Sequence, residues 1–298
     1  MRAFVTGGHG FVGRFLCAHL AESGDEVVAP HADDLDVTDV EATRAALADA
    51  APDAVYHLAG IASVAESWRA PGPVFAVNAG GTLAVLDAAH ALPTVPRVLL
   101  VGSAEVYGRV SPEALPIDED EPLVPVTPYA ASKAAAELVG VQAFHGWGVP
   151  VIRARPFNHI GPGQSPDFAV PAFARRIVDA VRTGATSLAV GNLGARRDFT
   201  DVRDVVRAYR LLVLSGEPGA AYNVCSGRDV AMEDVVRRLL AAADADLALE
   251  VDPALLRPVD VPVLRGDAGR LHAATGWEPT ISLDRSLADV LDEVRTHV

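Results

Sequence analysis

The segment PYAASK places Tyr129 and Lys133 four residues apart at the start of a helical pattern. That spacing puts both side chains on one face of a helix. An unperturbed phenol titrates near about pH 10. A neighbouring ammonium favours the phenolate, which lets Tyr129 exchange protons nearer neutral pH. A tyrosine and a lysine at this spacing also occur by chance, and Ser103 adds a third polar group. It follows the apolar run Val98–Val101, at the carboxyl edge of the sheet that such a run predicts. Ligands bind at that edge in open α/β sheets. The Ser103 hydroxyl can hydrogen-bond a substrate carbonyl oxygen, or it can simply cap the strand end.

A second group of residues has chemistry because side chains are missing. TGGHGFVG spans Thr6 to Gly13 and sets Gly7, Gly10 and Gly13 three apart, between an apolar strand and a helical pattern. Gly7 permits a tight turn, Gly10 lets a pyrophosphate approach the backbone, and Gly13 lets the helix pack on the strand. The helix amides and dipole then favour the phosphate charge. These features point to a dinucleotide site, at which Lys133 can also reach the nicotinamide ribose. His9 lies in the turn and is expected to be an exposed loop side chain. The carboxylate that binds a ribose in NAD sites is expected about twenty residues on. The chain there reads Val28-Ala29-Pro30-His31, with Asp33 and Asp34 following late. NADH and NADPH therefore stay equally open. Arg14 is either a partner for a 2′-phosphate or an exposed helix residue.

The elements that must position these groups alternate. Ala3–Val5, Val27–Ala29, Val55–Leu58, Val98–Val101 and Val149–Ile152 predict buried strands. Helical patterns separate them: Phe11 to Leu20, Val40–Leu47, Phe75–Ala89 and Ala130–Phe144. This alternation predicts a parallel sheet with helices on both faces. Beyond Pro156 the rhythm loosens, with helices near 171–182, 202–214 and 232–243. The acidic run Asp118–Glu121 is expected to be a solvated loop.

Bulk properties narrow the function. A chain of 298 residues, 50% apolar, can bury a sizeable core. Its net charge of −14 argues against sequence-independent nucleic-acid binding, which needs phosphate-facing Lys and Arg. Cys17 and Cys225 give no disulfide framework and no metal-ligand spacing, as suits a reducing cytoplasm. No apolar run is long enough to cross a membrane, and there is no room for a signal peptide ahead of the first strand.

The segments TGGHGFVG, DLDVTD, YHLAG, GSAEVYG, PYAASK, RARPFNHIGPG and RRDFTDVRDV occur in that order, followed by RPVD and TGWEP. This pattern resembles the extended short-chain dehydrogenase/reductase family that acts on nucleotide sugars. Within it, GSAEVYG, FNHIGPGQSPDF, ARRDFTDVRDVVRAY and YNVCSG look most like the GDP-4-dehydro-6-deoxy-D-mannose reductases. The resemblance implies a Rossmann-type doubly wound α/β sheet with a smaller C-terminal α/β substrate-binding domain. It implies a cofactor domain over 1–157, rejoined by 197–215, and a substrate domain over 158–196 and 216–298. Ser103, Tyr129 and Lys133 would be the catalytic set. Gly7, Gly10, Phe11, Val12, Gly13 and Pro156 would contact NAD(P)H, with Asp36 and Val37 by the adenine. Leu58, Ala59 and Gly60 would line its phosphates and ribose. Glu105 and Asn158 would meet the sugar or its phosphate, and Arg197 and Arg257 would clamp the diphosphate.

The implied reaction is NAD(P)H-dependent reduction of the 4-keto group of a GDP-4-keto-6-deoxymannose to GDP-D-rhamnose by a homodimer. A 4,6-dehydratase or 4-epimerase is the alternative. Ala104-Glu105 lacks one of the two carboxyls expected of dTDP-glucose-type dehydratases, but GDP-mannose dehydratases resemble this chain in keeping only the glutamate. A non-catalytic dinucleotide sensor is a third reading, and it has no need of the serine, tyrosine and lysine.

Overall fold

The computed structural model describes residues 1–255 and 261–297. Strand β1 (Arg2–Thr6) sends alternate side chains to opposite faces. Ala3 and Val5 join an apolar cluster with Leu16 and Leu20 of helix α1 (Phe11–Glu22), whereas Phe4 joins a second cluster on the other face. After β2 (Glu26–Val28) and α2 (Val40–Ala50), strand β3 (Ala54–His57) repeats the division: Tyr56 faces the first cluster and Val55 the second. Both faces are apolar, so these strands read as short continuous hydrophobic runs.

Two short helices, α3 (Val64–Arg69) and α4 (Pro71–Phe75), lead through a π-helical turn (Ala76–Gly80) into α5 (Gly81–His90). The helix expected over 75–89 is thus continuous, but its path widens through a π-helical turn before the α-helical pattern returns. A Cβ on Gly81 would lie 2.8 Å from the Val37 side chain, so close packing selects glycine just where that pattern returns. Strand β4 (Arg97–Val101), α6 (Pro128–Trp147) and β5 (Val151–Pro156) complete the regular alternation.

The chain then builds β6 (Asn158–Ile160), α7 (Ala169–Thr183), β7 (Ser187–Val190) and β8 (Arg196–Asp201). Helix α8 (Val202–Ser215) and β9 (Ala221–Val224) return to the first sheet, where β9 pairs with β5. That return spans 202–224, where 197–215 is expected from the resemblance: 197–201 belong to β8, which pairs in a separate, smaller sheet. Next come β10 (Asp229–Ala231), α9 (Met232–Ala242), β11 (Ala248–Val251), β12 (Val263–Leu264), α10 (Gly269–Thr275) and α11 (Leu283–Thr296).

The large sheet has six strands in the order β2-β1-β3-β4-β5-β9, with every neighbouring pair parallel. Helices α1 and α8 cover one face; α2, α5 and α6 cover the other. This is a Rossmann-type doubly wound sheet. From β1 the chain steps to β2 on one side and to β3 on the other, so the strand order reverses there. The carboxyl ends of β1 and β3 flank the resulting crevice, the general place for a ligand in such sheets. A smaller sheet, β10-β8-β12 with β6 also on β8, sits beside the pair β11-β7. Helices α7, α9 and α11 close a separate apolar cluster around it.

Candidate active site

The crevice is lined first by backbone. Gly7 has φ +71°, and a Cβ there would lie 2.8 Å from the Ala59 nitrogen at the end of β3. A Cβ on Gly13 would lie 2.1 Å from the Gly7 oxygen, so only glycine lets α1 begin this close to the strand. A Cβ on Gly10 would meet only that same oxygen, at 3.3 Å, and its outer side is open. Gly10 caps α1 without a side-chain hydrogen bond, and no acid occupies the first turn. The amides leading into Phe11, Val12 and Gly13 are thus available to an anion. This cradle fits a dinucleotide diphosphate. Leu58, Ala59 and Gly60 form its opposite wall beyond β3. Asp36 accepts from the amide and hydroxyl of Thr38, at 2.8 and 2.7 Å, while Val37 is buried. Arg14, on the exposed side of α1, donates to the Gly163 carbonyl at 3.2 Å.

The second part of the site is built from buried side chains. Thr127 caps α6 by accepting from the Ala130 amide at 3.0 Å, and Pro128 opens the helix. Tyr129 and Lys133 follow on one face, 9% and 8% exposed. The Lys133 Nζ donates to the Val101 carbonyl at 2.9 Å, which ties α6 to the end of β4. Two residues beyond Val101, Ser103 accepts from the Glu105 amide at 3.2 Å, so the strand-end cap is real. The same hydroxyl also meets the Tyr129 phenol.

Burial pushes the Tyr129 phenol up to about 12, hydrogen bonding with Ser103 lowers it, and the Glu105 carboxylate raises it. The sequence expectation of a phenol drawn toward neutral pH by Lys133 is thus corrected: loss of solvent dominates. Burial also brings Lys133 down to about 8.

A one-way hydrogen-bond chain supports both parts. The Ala59 amide donates to Thr6 Oγ1 at 3.2 Å, and the Thr6 hydroxyl meets His57 Nδ1 at 2.7 Å. His57 Nε2 meets Thr82 Oγ1 at 3.1 Å, and that hydroxyl donates to the Asn78 carbonyl at 2.6 Å. Because Thr82 spends its proton on a carbonyl, His57 Nε2 must donate, and Nδ1 then accepts from Thr6. The imidazole is neutral, and burial followed by the Lys133 charge brings it down to about 3. The Asn78 side chain pins both backbone groups of Ile61, at 2.8 and 3.1 Å, and donates to Ser132 Oγ at 2.8 Å. Ser132 in turn donates to the Tyr129 carbonyl at 2.7 Å. The π-helical turn therefore connects the cofactor wall to the start of α6.

One turn beyond Lys133, Glu137 is fully buried and accepts from Arg153 at 3.0 Å and from Arg155 Nε at 3.0 Å. Arg155 also donates to the Tyr107 hydroxyl at 2.8 Å, which donates to Asn223 Oδ1 at 2.7 Å. Glu119 accepts from the Asn223 amide at 2.7 Å and is buried, which raises its carboxyl. The acidic run 118–121 is therefore not wholly solvated: the fold uses one of its carboxylates to anchor β9.

At the end of β5, Pro156 stands opposite Val224, and Asn158 begins β6. Arg197 is buried, donating to the carbonyls of Val261 at 2.7 Å and Arg196 at 2.9 Å. Arg257 lies outside the described residues.

A sequence model of the NAD dependent epimerase/dehydratase family matches residues 3–225. The chain belongs to that family. It is 40% identical to the GDP-6-deoxy-D-mannose reductase of Pseudomonas aeruginosa, over 100% of this chain and 98% of the relative. Its fold superposes on RMD from Pseudomonas aeruginosa complexed with NADPH, with TM-score 0.90 and 39% identity, covering 100% of this chain and 99% of the other. The UDP-glucose 4-epimerase of Thermus thermophilus, in complex with NAD, matches with TM-score 0.89 and 30% identity over 100% of both chains. Family membership accounts for the glycine turn and for the sheet order around it.

Sequence reasoning did not find His57, Asn78, Thr82, Glu137 or His159. His159 is stacked on Phe11, with ring centroids 6.2 Å apart and planes at 6°. It follows Asn158 directly, but only the fold brings it to α1. His57 carried a signal in YHLAG, where a histidine ends an otherwise apolar strand.

Proposed function

We propose that this chain reduces the 4-keto group of a GDP-4-keto-6-deoxymannose-type nucleotide sugar to the 6-deoxy-D-mannose product, GDP-D-rhamnose, using NAD(P)H. The observation that carries the reading is the meeting of Ser103 and Tyr129 above a buried Lys133, beside a diphosphate cradle. When bound, the reduced nicotinamide supplies a hydride to carbon 4. Tyr129 donates its proton to the oxygen on that carbon, so the ketone becomes an alcohol and the phenol becomes a phenolate. Its raised pKa keeps Tyr129 protonated beforehand, which suits a proton donor. Ser103 accepts from the Glu105 amide and hydrogen-bonds the Tyr129 phenol, so its hydroxyl stands beside the proton donor, where it can turn to hold the sugar oxygen. Lys133 offsets the charge left on the phenolate. Asn158, Arg197 and Arg257 are assigned to the sugar and its diphosphate. The relative at 40% identity is named as this kind of reductase, which supports the assignment.

One observation favours a second reading. The Glu105 carboxylate lies close enough to Tyr129 to raise its pKa, which suits a GDP-mannose-type dehydratase acid. The two reactions differ in hydride accounting. Purified protein mixed with GDP-4-keto-6-deoxymannose and NADH or NADPH should oxidise one reduced cofactor per sugar. Tightly retained NAD, with no net oxidation, would favour the dehydratase or an epimerase.

We also place the protein in the cytoplasm and assign the substrate-binding role to the unit around β8. A homodimer through α5 and α6 would cover Leu83 and Leu138, which are 44% and 63% exposed.

A further inference from the structure

The 25 lysine and arginine side chains of this protein include a single lysine, and it is Lys133. All the others are arginines, whose guanidinium groups stay charged and do not act as amine nucleophiles. The Met1 ammonium is held by Asp25 at 3.0 Å. The one lysine amine also stands at a particular place. A Cβ on Gly7 would lie 2.8 Å from the Ala59 nitrogen, and a Cβ on the residue after Ala59, Gly60, would lie 3.5 Å from Lys133 Nζ. The nitrogen thus borders the wall of the diphosphate cradle.

The groups around Lys133 do not fix it as an ammonium. It donates to the Val101 carbonyl and forms no ion pair among the described residues. His57 on β3, whose pKa the Lys133 charge helps to lower, is a neutral imidazole. Glu137, one turn along α6, accepts from Arg153 and Arg155. The Tyr129 phenol is bonded to Ser103, and the Glu105 carboxylate acts on that phenol. Burial brings Lys133 down to about 8, so at neutral pH its free-amine share is about 10²-fold that of an ordinary lysine. A desolvated amine beside an anion cradle suits an electrophile that carries a phosphate.

We propose that Lys133 is a covalent modification site for acyl phosphates: with no dinucleotide in the cradle, the phosphate binds there and the lysine amine takes the acyl group. The nitrogen attacks the acyl carbon, and the bond from that carbon to the phosphate oxygen breaks. Phosphate leaves with the electron pair and accepts the amine proton. The product is an uncharged amide. Its remaining N–H can still donate to Val101, but it no longer offsets a phenolate charge on Tyr129, so the modified site does not turn over. The inference rests on the dinucleotide cradle read above and on Lys133 bordering it, and not on the sugar.

The test is incubation of the full chain with acetyl phosphate near neutral pH, with and without dinucleotide, read by intact mass and peptide mapping. Calorimetry first shows which of NADH and NADPH binds. One acetyl group should appear on Lys133, about tenfold faster than on the same residue in the chain unfolded in guanidinium chloride. Dinucleotide at about ten times its Kd should slow that reaction about tenfold. Acetylation of Lys133 no faster than in the unfolded chain, or at an unchanged rate with dinucleotide bound, would overturn the proposal. Lys133→Arg should take up no acetyl group beyond any on the Met1 amine, and uptake equal to wild type in that variant would also overturn it. If the variant fails to fold, peptide mapping of the wild-type chain decides alone. Binding of neither dinucleotide would instead bring down the cradle, and this proposal with it.

Discussion

At Gly13 a single added methyl would sit 2.1 Å from the Gly7 oxygen, whereas at Lys133 a four-carbon stem and an ammonium are wholly accommodated. The two ends of one crevice thus work by opposite means. At the β1–β3 end, backbone amides face a ligand because side chains are absent. At the β4–α6 end, reactive side chains are held by other buried polar groups: Val101 on Lys133, Ser132 on the Tyr129 carbonyl, and Glu137 one turn on. The backbone end depends on shape and tolerates no added bulk. The side-chain end depends on hydrogen bonding and burial, which set protonation as well as position.

The largest effect should come from the side-chain end. Tyr129→Phe removes the proton donor and should lower kcat by about 10²–10⁴. Stability should barely change, because the phenol is not wired into the ion-pair network. Thermal melting alongside single-turnover rates checks both halves, and near-normal turnover would break the contrast. Next comes Glu137→Ala, which strands Arg155 with a buried charge and should cost about 3–5 kcal/mol in denaturant unfolding. Gly13→Ala should cost less, about 1–3 kcal/mol of overpacking, with a loss of cofactor affinity by about tenfold. Wild-type cofactor binding in that variant would show that the turn is not held by shape.

The smallest effect is a pH limb. Lys133 titrates at about 8 in the folded protein, against about 10.4 in an unfolded chain. Above pH 8 the unfolded state therefore binds more protons, and this residue adds stability as pH rises. The charge that supports the phenolate is lost over the same range. Turnover should fall about tenfold per pH unit above about 8 while the melting temperature does not drop on this residue's account. A flat turnover profile through that range would remove the ammonium from the mechanism.

What could be read from the chain follows the same division. The glycine turn lies within eight consecutive residues, and Tyr129 and Lys133 lie within one helical turn, so local spacing was enough. The supports were not local. Thr6, His57 and Thr82 come from β1, β3 and α5 and meet only after the sheet forms. Arg153 and Arg155 made β5 look as if it ended early, because a charged residue reads as exposed until its partner Glu137 is seen. Tyr222 and Asn223 likewise masked β9. Glu119 looked solvated among its acidic neighbours, yet its partner is an amide in β9.

The reduction itself is most directly tested by isotope. The protein is incubated with GDP-4-keto-6-deoxymannose and reduced cofactor carrying deuterium at the transferable position, and the sugar is examined by NMR. The account predicts one deuterium at carbon 4 of a 6-deoxyhexose for each cofactor oxidised. A sugar that is altered without deuterium, or with no net oxidation of cofactor, would contradict it.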